Sequence, residues 1–407
     1  MRHDASIVVV QTERHPAFFD PGRASALMEE LDVEALLACS PANVGYLADY
    51  TYYVNQGLPY VLEDGKEWSL TFVGIPRELS RGAFMTPVSS EHGSVSFADP
   101  WITDRRLWGP TWTYVGTAGV SEPPREVAAC VADALRERDL AEARIGLEIS
   151  AVPARTYLRL RELLPRAELV DASSIFRDLR IVKAPEEIAR LRKLAAATDH
   201  AIEVGYAALD AKCSELEFQR VMATDLSQNG FRFGWCSVAY GPKGTTLIEP
   251  TDRVAAPGEI VRVDLVGFYR GYFSDMSRVC SFARMPNDDS KRAHAAILET
   301  NRRLREETGP GAKASGLSKL AHETLEARGF AMLAAQAGHG IGRDVHEPPY
   351  LAPWDDTVLA PGMVIDLEPA MRVKGVGSVN IEDMVLITAN GNEPLTTYPR
   401  ELRAFGS

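Results

Sequence analysis

Lysine is scarce: only nine of the 44 basic residues in this 407-residue chain are lysine, so no lysine-rich tail or localisation patch exists. Basic charge is also outweighed, by 56 acidic residues, for a formal net charge of −12. A chain this acidic is a poor general ligand for nucleic acid or an anionic membrane surface. Cysteine is sparse and dispersed: Cys39, Cys130, Cys213, Cys236 and Cys280 are odd in number and show no CxxC spacing. That argues against a disulfide frame or a zinc–thiolate site and for reduced, mostly buried thiols in a cytosolic protein. No apolar run approaches the roughly 18 residues of a membrane-spanning helix. The apolar stretch at residues 7–10 is too short for the core of a signal peptide, so a cytoplasmic protein is expected. Internal repeats and low-complexity segments are likewise missing. What remains is ordinary globular composition, 45% hydrophobic and 25% charged, over a length that suggests two or three domains.

The first part of the chain alternates helix and strand. Helical spacing covers residues 23–31, 126–138 and 154–164, and short apolar strands cover 35–39, 144–148 and 168–170, with a break at Ser40-Pro41-Ala42-Asn43. Such βα alternation predicts a mixed or parallel sheet covered by helices. Ala184-Pro185-Glu186-Glu187 is a helix start, because proline needs no N–H partner in the first turn and acids suit the helix dipole. A domain boundary is placed just before it, near residue 180. The second part reads as α+β, with helices at about 290–306 and 315–328 and glycine-punctuated strands at 259–268, 272–282, 362–370 and 378–388.

The chemistry-bearing residues fall in or beside these strands. The segment VDLVGFYRGYFSDMSR contains Asp264 and Asp275, and Gly271 beside Tyr269-Arg270 suggests a tight turn. A hairpin centred between residues 269 and 270 sets Asp264 directly across from Asp275, roughly 5 Å apart at Cβ; a bulge at Gly271 would shift this by one residue. Like charges facing each other are destabilising. Either a metal ion compensates them, or they face solvent or pair with Arg262 or Arg278. In GHGIGRDVHEPP, glycines flank His339 and allow close backbone approach to a ligand, and His346 follows seven residues later. GMVIDLEP and NIEDMVLIT each place a glutamate, Glu368 and Glu382, inside a strongly apolar strand. A bare buried carboxylate is costly unless paired or metal-bound. Asp366 and Asp383 are expected to face solvent. Two Asp, two Glu and one His suit a pair of divalent ions of the Mn, Co, Fe or Zn kind. Two such ions about 3.5–4 Å apart can share a bridging hydroxide.

With these motifs in order, the chain resembles the pita-bread metallopeptidases (peptidase family M24), which include methionine aminopeptidase, Xaa-Pro aminopeptidase, prolidase and creatinase. The likeness covers about 180–395, and SPANVGYLADY more weakly resembles a creatinase-type N-terminal domain. The resemblance implies an α/β creatinase-like N-terminal domain over 1–180 and an α+β pita-bread catalytic domain over 181–407. It implies that Asp264 chelates one metal, that Asp275 and Glu382 bridge, and that His339 and Glu368 hold the other. Glu368 would accept the proton of the bridging water, and His346 would contact the substrate and steady the tetrahedral intermediate.

Two departures concern substrate handling. The histidine that these peptidases carry before a Pro-x-Asp-Arg segment is missing between Ala239 and Arg253, and Asn380 replaces an arginine. The leading expectation is therefore a dinuclear-metal hydrolase, homodimeric, that cleaves a C–N bond in a Xaa-Pro dipeptide, short peptide or other small molecule. The alternative is a family member acting on a small zwitterion, as a creatine- or ectoine-type hydrolase or a dimethylsulfoniopropionate-type lyase. That lyase branch, however, has an additional Asp where this chain has Arg262, and creatinase lacks the metal ligands. The intact ligand set argues against a non-catalytic binding protein. Asn380 and Trp108 are further candidate substrate contacts. Trp101, Trp108, Trp112 and Tyr114 read either as ordinary packing or as an aromatic wall reaching a partner's site.

Overall fold

The computed structural model describes residues 15–50, 70–88, 100–109, 126–243 and 249–406. The chain divides into two compact units, Met1–Leu179 and Arg180–Ser407. In the first unit, short runs without polar alternation form strands buried on both faces. β1 (Ala35–Ala38) and β2 (Phe72–Pro76) are buried at every residue. With β3 (Phe84–Thr86), β4 (Asp104–Arg105), β5 (Arg144–Leu147) and β6 (Glu168–Asp171) they form one mixed sheet, ordered β4-β3-β2-β1-β5-β6. The break expected at Ser40–Asn43 is a helix start: the Asn43 N–H donates to Ser40 Oγ at 3.2 Å, and helix Pro41–Ala48 follows.

Trp108 belongs to this unit's own core. It is 7% exposed, packs in the cluster that holds Phe72, Phe84 and Val131, and donates its indole N–H to Leu70 O at 2.8 Å. With ring and N–H both used internally, it is not available as a wall of a substrate pocket, which corrects that expectation. Trp112 and Tyr114 lie outside the described residues. All five cysteines are buried and none forms a disulfide. Among the described residues no helix is long and apolar enough to cross a membrane.

The second unit begins with helix Pro185–Ala207, whose Glu187 accepts the Ala184 N–H at 2.9 Å. Its strands are β7 (Arg232–Tyr240), β8 (Ile260–Tyr269), β9 (Tyr272–Phe282), β10 (Gly338–Gly340), β11 (Glu347–Tyr350), β12 (Val364–Leu367), β13 (Ala370–Val373), β14 (Gly377–Asn380), β15 (Asp383–Thr388), β16 (Gly391–Pro394) and β17 (Ala404–Phe405). They make a four-stranded sheet β17-β9-β8-β7, a five-stranded sheet β11-β10-β12-β15-β16 and the ribbon β13-β14. Helix Pro185–Ala207 packs on β8 and β9 through Leu194, Ala201 and Ile202 against Val263, Leu265 and Met276.

Two expectations about these strands change. The β8–β9 turn is made by Arg270 and Gly271, both in the left-handed region at φ 48° and 84°, as a two-residue hairpin turn requires. Asp264 therefore faces Ser277, and Asp275 faces Val266. The partner changes by two residues, an even step, so both aspartates keep the same face and stand diagonal rather than opposite. The runs at 362–370 and 378–388 are each broken. β12 stops before Glu368-Pro369, where proline has no N–H for the ladder, and β14 stops before Ile381-Glu382. Both glutamates thus sit in junctions between strands, not inside them.

Asp383 does not face solvent: it is fully buried, with Oδ1 2.7 Å from Arg278 Nη2 and Oδ2 2.6 Å from Arg400 Nε. Arg278, itself 1% exposed, also donates to Glu382 O at 2.6 Å and Tyr398 O at 3.0 Å. Replacing Arg278 by methionine is expected to cost about 3–5 kcal/mol, because it strands a buried charge. An unchanged urea-unfolding midpoint would contradict this role.

Candidate metal centre

The antiparallel β8–β9 pair supplies two carboxylates from adjacent strands, and the junction after β14 brings a third. Glu382 is set there by its own backbone, which donates N–H to Ser277 O at 3.1 Å, two residues beyond Asp275. One oxygen from each of Asp264, Asp275 and Glu382 lies within 4.8 Å of the others, and the three residues are buried.

β10 brings the histidine. It runs between β11 and β12, with His339 paired to Tyr350 on one side and Asp366 on the other. The flanking glycines serve backbone packing rather than ligand approach. A Cβ at Gly338, whose φ is 153°, would meet Asp366 O at 2.2 Å, and one at Gly340 would meet Pro348 O at 2.4 Å. His339 Nδ1 lies 3.0 Å from Gly340 O. That contact holds the proton of a neutral ring on Nδ1 and leaves Nε2 for a ligand. Glu368 is anchored beside it through its N–H, which donates to Ala337 O at 2.9 Å. His339 Nε2 is 3.6 Å from Glu368 Oε2 and 3.9 Å from Asp366 Oδ2. These separations are too long for hydrogen bonds and suit donors that share one cation. His339, Asp366 and Glu368 form a second group within 4.8 Å, and Asp275, His339 and His346 a third, so the groups are contiguous. The His346 and His339 rings meet edge to face at 4.2 Å between centroids.

All five residues expected to bind metal are brought together, and His346 stands beside them. Asn380 is different. It is fully buried, its Oδ1 accepts from Arg262 Nε at 2.5 Å, and its Nδ2 donates to Glu382 Oε1 at 2.6 Å. With both amide ends occupied it supports Glu382 and does not face a substrate. Arg262, 1% exposed, also bonds Asp264 Oδ2 at 2.5 Å. The residue that sequence reasoning missed is Asp366, expected in solvent but fully buried in the cluster. The signal was available: in the strand expected over 362–370, alternation puts Asp366 on one face with Glu368, although β12 itself ends at Leu367.

Asp275 Oδ1, Glu382 Oε2, His339 Nε2 and both Asp366 oxygens are buried without a hydrogen-bond partner. So many orphaned groups in one place require an explanation, and hard carboxylates with an imidazole are donors for a divalent cation. Burial pushes Asp264 from its ordinary 3.8 up to about 6, partly offset by Arg262. Burial, reinforced by neighbouring carboxylates, raises Asp275 and Glu382 well above the usual range. Burial also raises Asp366, with His339 opposing it. For Glu368 burial acts upward, but His339 beside it leaves the carboxyl below its ordinary value.

Raised carboxyls mean that the metal-free fold binds protons that the unfolded chain has already lost, so its stability must fall as pH rises through the raised values. Relative to an Asp264→Asn variant, the metal-free protein is expected to lose melting temperature as pH rises from 3.8 through about 6, and Mn(II) at neutral pH is expected to restore it. A difference between the two proteins that grows in favour of wild type across this window contradicts a crowded carboxylate cluster.

The chain is similar to known proteins along much of its length. Residues 22–182 match the creatinase/prolidase N-terminal domain, and residues 189–389 match metallopeptidase family M24. The chain is 30% identical over 270 residues to an Xaa-Pro dipeptidase of Pyrococcus horikoshii, covering 63% of this chain and 74% of that protein. It is 32% identical over 247 residues to the Xaa-Pro dipeptidase of Pyrococcus furiosus, covering 58% and 68%. In fold it is similar to an Xaa-Pro dipeptidase from Bacillus anthracis, with TM-score 0.79 at 24% identity over 95% of this chain and 99% of that one. An X-Pro aminopeptidase from Thermotoga maritima superposes equally well, with TM-score 0.79 at 20% identity over 95% and 99%. The chain belongs to metallopeptidase family M24, as a hydrolase with a creatinase/prolidase N-terminal domain.

Proposed function

We propose that the protein is an Xaa-Pro-type dipeptidase or aminopeptidase that works with two divalent cations. The observation that carries this is the convergence of Asp264, Asp275, His339, Glu368 and Glu382, with Asp275 Oδ1, His339 Nε2 and Glu382 Oε2 buried and unpartnered among them. The five residues would hold these ions between them. Bound ions of this kind polarise a carbonyl and generate a hydroxide nucleophile at neutral pH.

The chain's own residues supply the rest. Among the four carboxylates of this set Glu368 alone is partly exposed, and its pKa lies below the ordinary value. It is placed to accept a proton from the attacking water. His346 is exposed; burial of part of its ring and the neighbouring His339 hold its pKa below the ordinary value, so at neutral pH it is an uncharged N–H donor. Directed at the oxygen that gains charge, it would stabilise the tetrahedral state. Its loop is held from beneath by Glu347, which Lys183 Nζ meets at 2.6 Å and Arg180 also contacts. Burial acts upward on Glu347, but these two cations bring it down to about 2.

One observation favours a second reading. The buried Arg262–Asn380 pair places no arginine side chain toward a peptide beside Glu382, which suits a small zwitterion that needs fewer contacts. Added Mn(II) is expected to support cleavage of Xaa-Pro dipeptides. Bound metal without turnover of any Xaa-Pro peptide would remove the peptidase reading and leave the zwitterion one. Asp275→Asn is expected to abolish metal binding and activity while the fold survives. His346→Ala is expected to lower kcat by about 10²–10³-fold with metal content unchanged, as measured by elemental analysis; metal loss there would reassign His346 as a ligand.

A further inference from the structure

We infer that Asp366 is a sixth protein ligand, donating its carboxylate to the cation held on the His339–Glu368 side. This rests on the metal-centre reading above. The first support is a contrast among buried acids. Asp383 is paired with Arg278 and Arg400, and Glu347 with Lys183 and Arg180. Glu187 bonds Tyr272 Oη and the Ala184 N–H, and Glu215 takes the Tyr240 and Thr251 N–H groups. Asp366 is as buried as any of these, yet neither of its oxygens has a partner.

The second support is position. Asp366 stands opposite His339 in the β10–β12 ladder, two residues before Glu368, and lies within 4.8 Å of a donor atom on each. Protonation does not solve its problem. It removes the charge but leaves the facing His339 Nε2 unpartnered. Nor does Arg262 serve it, since that guanidinium is committed to Asp264, Asn380 and Ser237. A divalent cation satisfies both Asp366 and the unpartnered His339 Nε2 at once.

The test uses the full chain, stripped with chelator and titrated with Co(II), comparing wild type with Asp366→Asn and Asp366→Val. Calorimetry gives the affinity of the first equivalent, and visible d–d absorption reports its coordination. Both variants are expected to weaken the first equivalent by at least about tenfold and to change the band shape. Their metal-free melting temperatures should equal or exceed that of wild type, because an uncompensated buried carboxylate is gone. Unchanged affinity and spectrum in both variants overturn the inference and leave the five-residue centre intact. So does a lowered metal-free melting temperature with unchanged Co(II) affinity, which would make Asp366 structural. Failure of the wild-type chain to bind Co(II) would instead undo the metal-centre reading.

Discussion

Carboxylates crowded where water is excluded repel one another strongly. In this protein Asp264, Asp275, Asp366, Glu368 and Glu382 gather in such a place. The second unit is organised to hold them against that repulsion. Two acids come from neighbouring strands of a hairpin, Asp366 comes from β12, and Glu368 and Glu382 sit in the junctions after β12 and β14. Backbone hydrogen bonds from Glu368 to Ala337 and from Glu382 to Ser277 fix the junction residues without using their carboxylates. The side chains are therefore free to act as donors, while the main chain carries the positional constraint.

Packing around the centre follows from the same need. β10 passes between two strands so closely that a methyl group at Gly338 or Gly340 would overlap carbonyl oxygens. This squeeze puts His339 at the level of Asp366 and Glu368. Below the His346 loop, a buried trio of Lys183, Arg180 and Glu347 substitutes for a hydrophobic floor. An ion trio adds little net stability compared with apolar packing, but it holds one loop geometry.

Much of this was legible in the sequence, and the failures are instructive. Five candidate ligand positions could be named because the motifs around them resemble those of a known family, and because carboxylates in apolar surroundings are costly unless something compensates them. The shared face of Asp264 and Asp275 could be named because alternation survives any even change of register. The register itself could not, since Tyr269-Arg270 and Arg270-Gly271 both read as turns, and only backbone conformation separates them. Asn380 and Trp108 were placed wrongly for one reason: a polar or aromatic residue near a site in sequence says nothing about whether its hydrogen bonds are already used. Asp366 was missed although the alternation that predicts it was in view, because a solvated aspartate is the commoner case. The arginine opposite position 380 carried a different signal. Asn380, a departure from the peptidase pattern, and Arg262, a departure from the lyase branch, proved to be hydrogen-bonded to each other.

Arg262 never loses its proton, so its charge is a fixed part of the centre. Were two divalent ions bound, five ionised carboxylates would be matched by those ions and one guanidinium, and the formal sum would be zero. Such an electroneutral centre would exert little pull or push at long range, whatever the −12 of the chain as a whole. Selection among substrates would then fall to contact, the fit of a molecule against His346 and the exposed edge of Glu368.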